Sequence, residues 1–327
     1  MSGGISTLAG SYGTLSVNTT TGAYTYTPNT SAIEGLSANT NETFTVTASD
    51  AYSSGTAIFT VSITAANDTP TLSTPTAGAY TDTSANDTFS NDTGTLAGAD
   101  RDSGQTLTYG ISGGSVSGTT STKAGSYGTL TVDTGTGAYT YTPNASAINA
   151  LTANTTDTFT VTVSDGAGGS TTATYTVNLT AANDTPTLST PTAGSYTDTS
   201  ANDTFSNDTG TLAGADRDSG QTLTYGISGG SVSGSTATKA GSYGTLTVDT
   251  GTGAYTYTPN ASAINALTAN TTDTFTVTVS DGAGGSTTAT YTVNLTAAND
   301  TPTLSTPTAG AYTDTSANDT FSNDTGT

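Results

Sequence analysis

The residues able to do chemistry in this chain are almost all aspartates, and they come in recurring sets. Three acidic clusters stand out: Asp100-Arg101-Asp102-Ser103-Gly104, Val163-Ser164-Asp165-Gly166 and Asn183-Asp184-Thr185-Pro186. Carboxylate and amide oxygens drawn from several short loops suit Ca²⁺, a hard cation that takes ~6–8 oxygen ligands in flexible geometry. A transition metal would want imidazole or thiolate, and the chain has no His and no Cys. An isolated Asp-Gly reads more simply as a turn, because Asp bonds its own backbone without any metal. For Asp100 and Asp102 together with Asp184, calcium is the better reading. Asp82, Asp87 and Asp92 lie in a Ser/Asn/Thr-rich stretch and read as turn residues, while Asp133 and Asp157 read as plain surface.

Composition narrows the chemistry further. The chain has 327 residues, a formal charge of −21 and only four Lys plus Arg, so it cannot neutralise a phosphate backbone; nucleic-acid binding is excluded. Without His it lacks the usual general base and the physiological pH switch. Without Cys it has no disulfide scaffold and no thiolate zinc site. No apolar run approaches the ~18 residues of a membrane helix, so membrane insertion is not expected, and Met1-Ser2-Gly3-Gly4 does not read as the opening of a signal peptide. A weakly charged chain rich in Gly and Thr could be disordered. The order of its residues argues otherwise.

That order is a repeat. Asn67-Asp68-Thr69-Pro70 returns at Asn183 and again at Asn299, a period of 116 residues each time (183 − 67 and 299 − 183). Residues 69–184 and 185–300 differ at three positions only: Ala79/Ser195, Thr119/Ser235 and Ser121/Ala237. A unit of this length is a domain, not a solenoid turn. The expected organisation is a partial first repeat over 1–68, full repeats over 69–184 and 185–300, and the first strand or strands of a further repeat over 301–327. The phase suggests a window on a longer chain. The alternative is a filament subunit assembling head to tail, in which 301–327 supplies strands that a neighbour's 1–68 lacks. Those pieces together still lack a counterpart of Leu96 to Ile111, which weighs against that alternative.

Within one repeat the pattern is period two. Leu107, Tyr109 and Ile111, then Leu130 and Val132, Tyr139 and Tyr141, Phe159 to Val163, and Tyr175 to Leu179 alternate with polar residues, mostly Thr. Short alternating runs split by turn clusters predict half-buried antiparallel strands. The 85 threonines are then the outward half of that alternation, where a branched Cβ suits the pleat and a hydroxyl meets water. Asp133-Thr134-Gly135-Thr136-Gly137 and Asp165 to Gly169 read as turns with Gly where a positive φ is needed. Asn144 to Leu151 reads as one helical turn capped by Asn144. Five clear strands, with one or two before Asp100, predict an Ig-like β-sandwich of about seven strands. Residues 69–184 carry nine Asp against Arg101 and Lys123, about −7 per repeat, a self-repulsion that bound divalent cations would relieve.

The run 98–111, the segments 127–132, 137–142 and 157–166, and Asn183-Asp184-Thr185-Pro186 resemble the VCBS repeat and the wider cadherin-like domains of giant bacterial adhesins of the biofilm-associated type. The resemblance spans essentially the whole chain. It implies all-β, tandem Ig/cadherin-like antiparallel sandwich domains of ~116 residues, exported by type I secretion to the bacterial cell surface or beyond. It also implies Ca²⁺ at the junctions, with ligands on Asp165, Asn183, Asp184, Asp216 and Asp218. The same pattern one unit along adds Asp50, Asn67, Asp68, Asp100, Asp102, Asp281, Asn299 and Asp300. Two departures suggest fewer or weaker ions per junction: residues 69–327 contain no Glu, and Ala181-Ala182 precede Asn183.

The expected role is a structural, calcium-stiffened repeat region of a large extracellular adhesin or surface filament, serving adhesion or biofilm. Its expected partners are neighbouring repeats or further copies of itself, with cell-surface or matrix glycans bound through regions outside this chain. A glycan-binding module is the second class, with Tyr139 and Tyr141 as stacking platforms, although alternating Tyr reads first as packing. An enzyme is the weakest class: paired carboxylates could hydrolyse glycosides, but serial identical active sites would be unusual.

Overall fold

The computed structural model describes residues 4–326; Met1 to Gly3, from the segment weighed above as a signal sequence, and Thr327 lie outside the described residues. The chain divides into two compact units, Met1–Asp184 with Arg217–Ser219, and Thr185–Asp216 with Gly220–Thr327.

The first unit begins with strands β1 (Ile5–Ala9), β2 (Gly13–Asn18) and β3 (Tyr24–Pro28), a helical turn α1 (Thr30–Glu34), and the hairpin β4 (Thr40–Ser49) and β5 (Ser54–Ile63). Then come β6 (Thr71–Leu72), β7 (Gly78–Thr81), β8 (Asp92–Thr95), β9 (Gly98–Ala99), β10 (Thr108–Ile111), β11 (Ser115–Ser117), β12 (Thr120–Ala124), β13 (Gly128–Asp133), β14 (Ala138–Pro143), α2 (Ala145–Ile148), β15 (Thr155–Ser164) and β16 (Ser170–Thr180). Repeat 69–184 forms two main sheets, ordered β10-β15-β16-β7 and β11-β12-β13-β14-β8, with a small β6-β9 pair beside them. Their inner faces meet in one core: Leu130, Val132 and Tyr141 from one sheet face Phe159, Val161, Tyr175 and Val177 from the other, all at most 1% exposed. Period-two alternation therefore does what it predicts, with Thr outside and aliphatic or aromatic groups inside.

Pairing is antiparallel except at one edge, where β7 runs parallel to β16, from Val177 opposite Gly78 to Thr180 opposite Thr81. The wholly antiparallel expectation is corrected there. β7 enters with the same polarity as the last strand and covers its free edge. The β11–β12 hairpin has no apolar alternation to announce it, and four short strands rather than one or two precede Asp100. The helical turn is as read, with Asn144 capping it by accepting the Ala147 N–H at 3.3 Å. Gly137 closes the β13–β14 turn at φ 72°, where a side chain would be strained.

The second unit repeats the series. Its sheets join Gly194–Thr197, Ser286–Thr296, Thr271–Ser280 and Thr224–Ile227 in one, and Asp208–Thr211, Ala254–Pro259, Gly244–Asp249, Thr236–Ala240 and Ser231–Ser233 in the other. Residues 301–326 carry no strand. Among the described residues no helix is long and apolar enough to cross a membrane.

Candidate metal centre

The linker after β5 carries Asn67 and Asp68 to the start of repeat 69–184, where two loops meet it. The loop after β9 supplies Asp100, Asp102 and Gln105; the β15–β16 turn supplies Asp165. The Asp68 N–H donates to Asp102 Oδ2 at 2.7 Å, and the Asn67 amide donates to Asp165 Oδ2 at 2.9 Å. Gln105 Nε2 donates to Asn67 Oδ1 at 2.7 Å and to Asp102 Oδ2 at 3.2 Å. The Asp102 N–H donates to Asp100 Oδ1 at 2.9 Å. Beside this cluster the Ser103 hydroxyl and N–H both donate to the Gly35 carbonyl, tying the loop to the preceding repeat.

The cluster is rich in acceptors and short of donors. Asp102 is 5% exposed, and its Oδ1 is buried without a hydrogen-bond donor; so are Asp100 Oδ2 and Gln105 Oε1. A buried acceptor stripped of water and given no donor is costly. These oxygens therefore fit a hard cation such as Ca²⁺. Among the described residues no three His, Cys, Asp or Glu side chains converge as a ready-made cage, so a cation held here would also need amide oxygens such as those of Asn67 and Gln105. Asp165 is held low in pKa, first by the Asn67 amide and then by the N–H groups of its own turn. It stays charged at neutral pH.

Two expected groupings change. Asp165 joins the linker before its own repeat, not the Asn183-Asp184 linker after it. β16 runs 11 residues between the Asp165 turn and that later linker, so the two stand at opposite poles. For the same reason Asp50, across β5 from Asn67, is not brought to the Asp68 cluster. It lies in an exposed turn, its Oδ1 accepting from the N–H groups of Tyr52 and Ser53 at 2.8 and 2.7 Å.

One repeat along, the Asp184 N–H donates to Asp218 Oδ2 at 2.8 Å, and Arg217 Nη1 stands 3.0 Å from Asp184 Oδ1. Asp184 is fully buried there and Asp218 nearly so, with Asn183 partly buried. Asp216 is half-buried, and buried Asp281 accepts the N–H groups of Ala283 and Gly285. Asn299 and Asp300 are exposed.

Sequence reasoning missed Asp82. Read as a turn residue, it is 3% exposed, with Oδ1 lacking a donor and Oδ2 3.4 Å from the Ala182 N–H. Burial pushes its carboxyl up to about 6 against the pull of that N–H, and nearby Asp184 and Asp87 add to the rise. Asp198 repeats the placement beside Ala298. The missed signal was the fixed position of Asp82, one residue after β7, at the end of the sheet that leads into the Ala181-Ala182 linker. Asp157 and Asp92 are corrected as well. Asp157 is buried and accepts the Tyr141 hydroxyl and the N–H groups of Ser126 and Tyr127; Asp92 accepts the Tyr175 hydroxyl at 2.5 Å.

Serial all-β domains of about 115 residues, each entered through an acidic linker or loop, define a tandem cadherin-like repeat protein. The chain belongs to the bacterial cadherin-like domain family, whose profile matches residues 67–181 and 183–297. Among solved structures it is similar to protocadherin gammaB7 EC3-6 in a cis-dimer (15% identity, 90% of this chain, 68% of that one, TM-score 0.32). It is also similar to mouse cadherin-23 EC22-24 (14% identity, 90% and 85%, TM-score 0.33) and to Drosophila N-cadherin EC1-4 (15% identity, 89% and 66%, TM-score 0.26). No curated protein matches the chain significantly. The family's domains are typically non-enzymatic structural modules.

Proposed function

We propose that this chain is a calcium-stiffened repeat region of an extracellular adhesin or surface filament, with domain boundaries at 68/69, 184/185 and 300/301. One observation carries the reading: three buried acceptors, Asp100 Oδ2, Asp102 Oδ1 and Gln105 Oε1, lack donors at the linker that joins one repeat to the next. Asn67, Asp68, Asp100, Asp102, Gln105 and Asp165 would hold the ion. Asn183, Asp184 and Asp218 are their equivalents one repeat along, where Arg217 already neutralises Asp184 in part. When bound, calcium supplies the missing positive charge and cross-links linker to loop; the chain's own residues fix the linker backbone through the Asp68–Asp102 bond. A cation bound only by the folded state stabilises it by RT ln(1 + [Ca]/Kd), about 2.7 kcal/mol per site at 100 Kd. Folding is then favoured in calcium-rich surroundings, as suits a cysteine-free chain secreted unfolded by a type I route.

The glycan reading loses its platform: Tyr139 is 7% exposed and Tyr141 fully buried, both inside the core. Calorimetric titration of calcium into the EDTA-stripped chain tests the proposal. Saturable binding that Asp102→Asn weakens supports it, and no binding heat at millimolar calcium overturns it.

A further inference from the structure

Each complete repeat carries one Arg, and in both it stands between the two aspartates of the acidic loop: Asp100-Arg101-Asp102 and Asp216-Arg217-Asp218. The one other cation of each repeat is engaged elsewhere. Lys123 and Lys239 donate to the Ser112 and Ser228 carbonyls at 2.8 and 2.7 Å. Arg is therefore the cation that the fold delivers to the acidic linker.

Between the two complete repeats that delivery ends in an ion pair. Arg217 Nη1 lies 3.0 Å from Asp184 Oδ1; the Asp184 side chain is fully buried and the Arg217 side chain is 39% exposed. The loop tip Arg217–Ser219 belongs to the compact unit that ends at Asp184, apart from the rest of its own repeat. Two further contacts hold the tip there. Asp218 Oδ2 accepts the Asp184 N–H at 2.8 Å, and the Ser219 N–H and hydroxyl both donate to the Ala150 carbonyl, at 3.2 and 3.1 Å. None of these contacts needs a metal.

A buried carboxylate without a counter-charge is costly, and a forked, weakly hydrated guanidinium is well suited to relieve it. A calcium ion at Asp184 would need the same oxygen, at ~2.3–2.6 Å. It would then stand against a guanidinium held 3.0 Å from that atom, and two cations so close repel strongly away from water. One of the two has to leave. Arg217 has a long stem and a part-exposed side chain, and so a way out to solvent; Asp184 has none.

We propose that Arg217 is a built-in counter-cation that neutralises Asp184 in the metal-free joint and is displaced when calcium binds there, so that it sets the calcium threshold of the joint. The inference rests on the calcium reading above. Linkage fixes its consequence: whatever the Arg217–Asp184 contact adds to the metal-free fold is subtracted from calcium affinity.

The test uses the full chain carrying Asp102→Asn, which weakens the first junction and leaves the Asp184 junction to report. In that background Arg217→Gln should bind calcium about tenfold more tightly by calorimetry, more than an exposed ion pair would give because Asp184 is buried. Arg217→Lys keeps the charge without the fork and should fall between the two. In EDTA the Gln variant should unfold at lower urea, and saturating calcium should bring its midpoint back to that of the parent. Phenylglyoxal, an arginine-selective dicarbonyl, should modify Arg217 faster in calcium than in EDTA, read by peptide mass. Calcium binding that Arg217→Gln leaves unchanged or weakens, or slower modification in calcium, would overturn the proposal while the calcium reading stands. No binding heat from parent or variant would overturn the calcium reading of this junction and the threshold with it. An unchanged urea midpoint for Arg217→Gln in EDTA would overturn the counter-cation role on its own.

Discussion

The Asp68 N–H donates to Asp102 Oδ2 at 2.7 Å, and 116 residues later the Asp184 N–H donates to Asp218 Oδ2 at 2.8 Å. In each pair one carboxylate oxygen fixes the linker backbone. At Asp102 the other oxygen, Oδ1, is buried without a donor. One residue thus orders the linker and keeps a second, buried acceptor, so in the proposed function stiffness and ion binding would share the same side chain.

Thermal unfolding should show that sharing. At 100 Kd calcium the wild type should melt on the order of 10 °C higher than in EDTA. The double variant Asp102→Asn/Asp218→Asn keeps an acceptor for the linker N–H but loses the charge. Its melting point in EDTA should stay within a few degrees of wild type, and most of the calcium gain should vanish. A variant with an undiminished calcium shift would remove these aspartates from the site.

Asp82 sets a pH dependence in the calcium-free chain. Its folded pKa, about 6, lies above the ordinary carboxylate value of 3.8, so the folded state holds the proton more tightly than the unfolded state. Stability from this group is full below the unfolded value and falls as pH rises through about 6. Asp82→Asn should therefore stabilise the EDTA-stripped chain at pH 7 by roughly 2 kcal/mol and flatten its stability between pH 4 and 6. Chemical denaturation at a series of pH values reads this directly. A variant less stable than wild type at pH 7 would contradict it.

The buried tyrosines should separate by what each leaves behind. Tyr175→Phe removes the donor that Asp92 accepts at 2.5 Å and should cost about 1.5–3 kcal/mol, as for a bond to a charged group. Tyr141→Phe leaves Asp157 with the N–H groups of Ser126 and Tyr127 and should cost about 1 kcal/mol. Urea midpoints compare the two. Equal losses would show that the residual bonds to Asp157 do not compensate.

Period-two alternation made the long strands legible, because β13 to β16 each bury one face against the same core. The Asn144 cap and the Gly137 turn were legible for local reasons, a side-chain acceptor and a positive φ. What alternation could not show was edge structure: β7 and β8 are Gly- and Thr-rich, and their partners are set by topology. The acidic clusters were visible as loops, but their grouping depended on strand length. Asp165 looked near Asp184 in sequence, and 11 residues of β16 put it at the other pole. Asp82, Asp92 and Asp157 were misread for one reason. Each gains its role from a partner about 16 to 100 residues away, which no local pattern displays.

The central claim, that calcium stiffens the joints, is tested most directly by small-angle X-ray scattering of the 327-residue chain in calcium and in EDTA at dilution. The account predicts a longer and better-defined maximum dimension in calcium, lost in EDTA and absent from Asp102→Asn/Asp218→Asn in either buffer. The same maximum dimension for wild type in both buffers would contradict it.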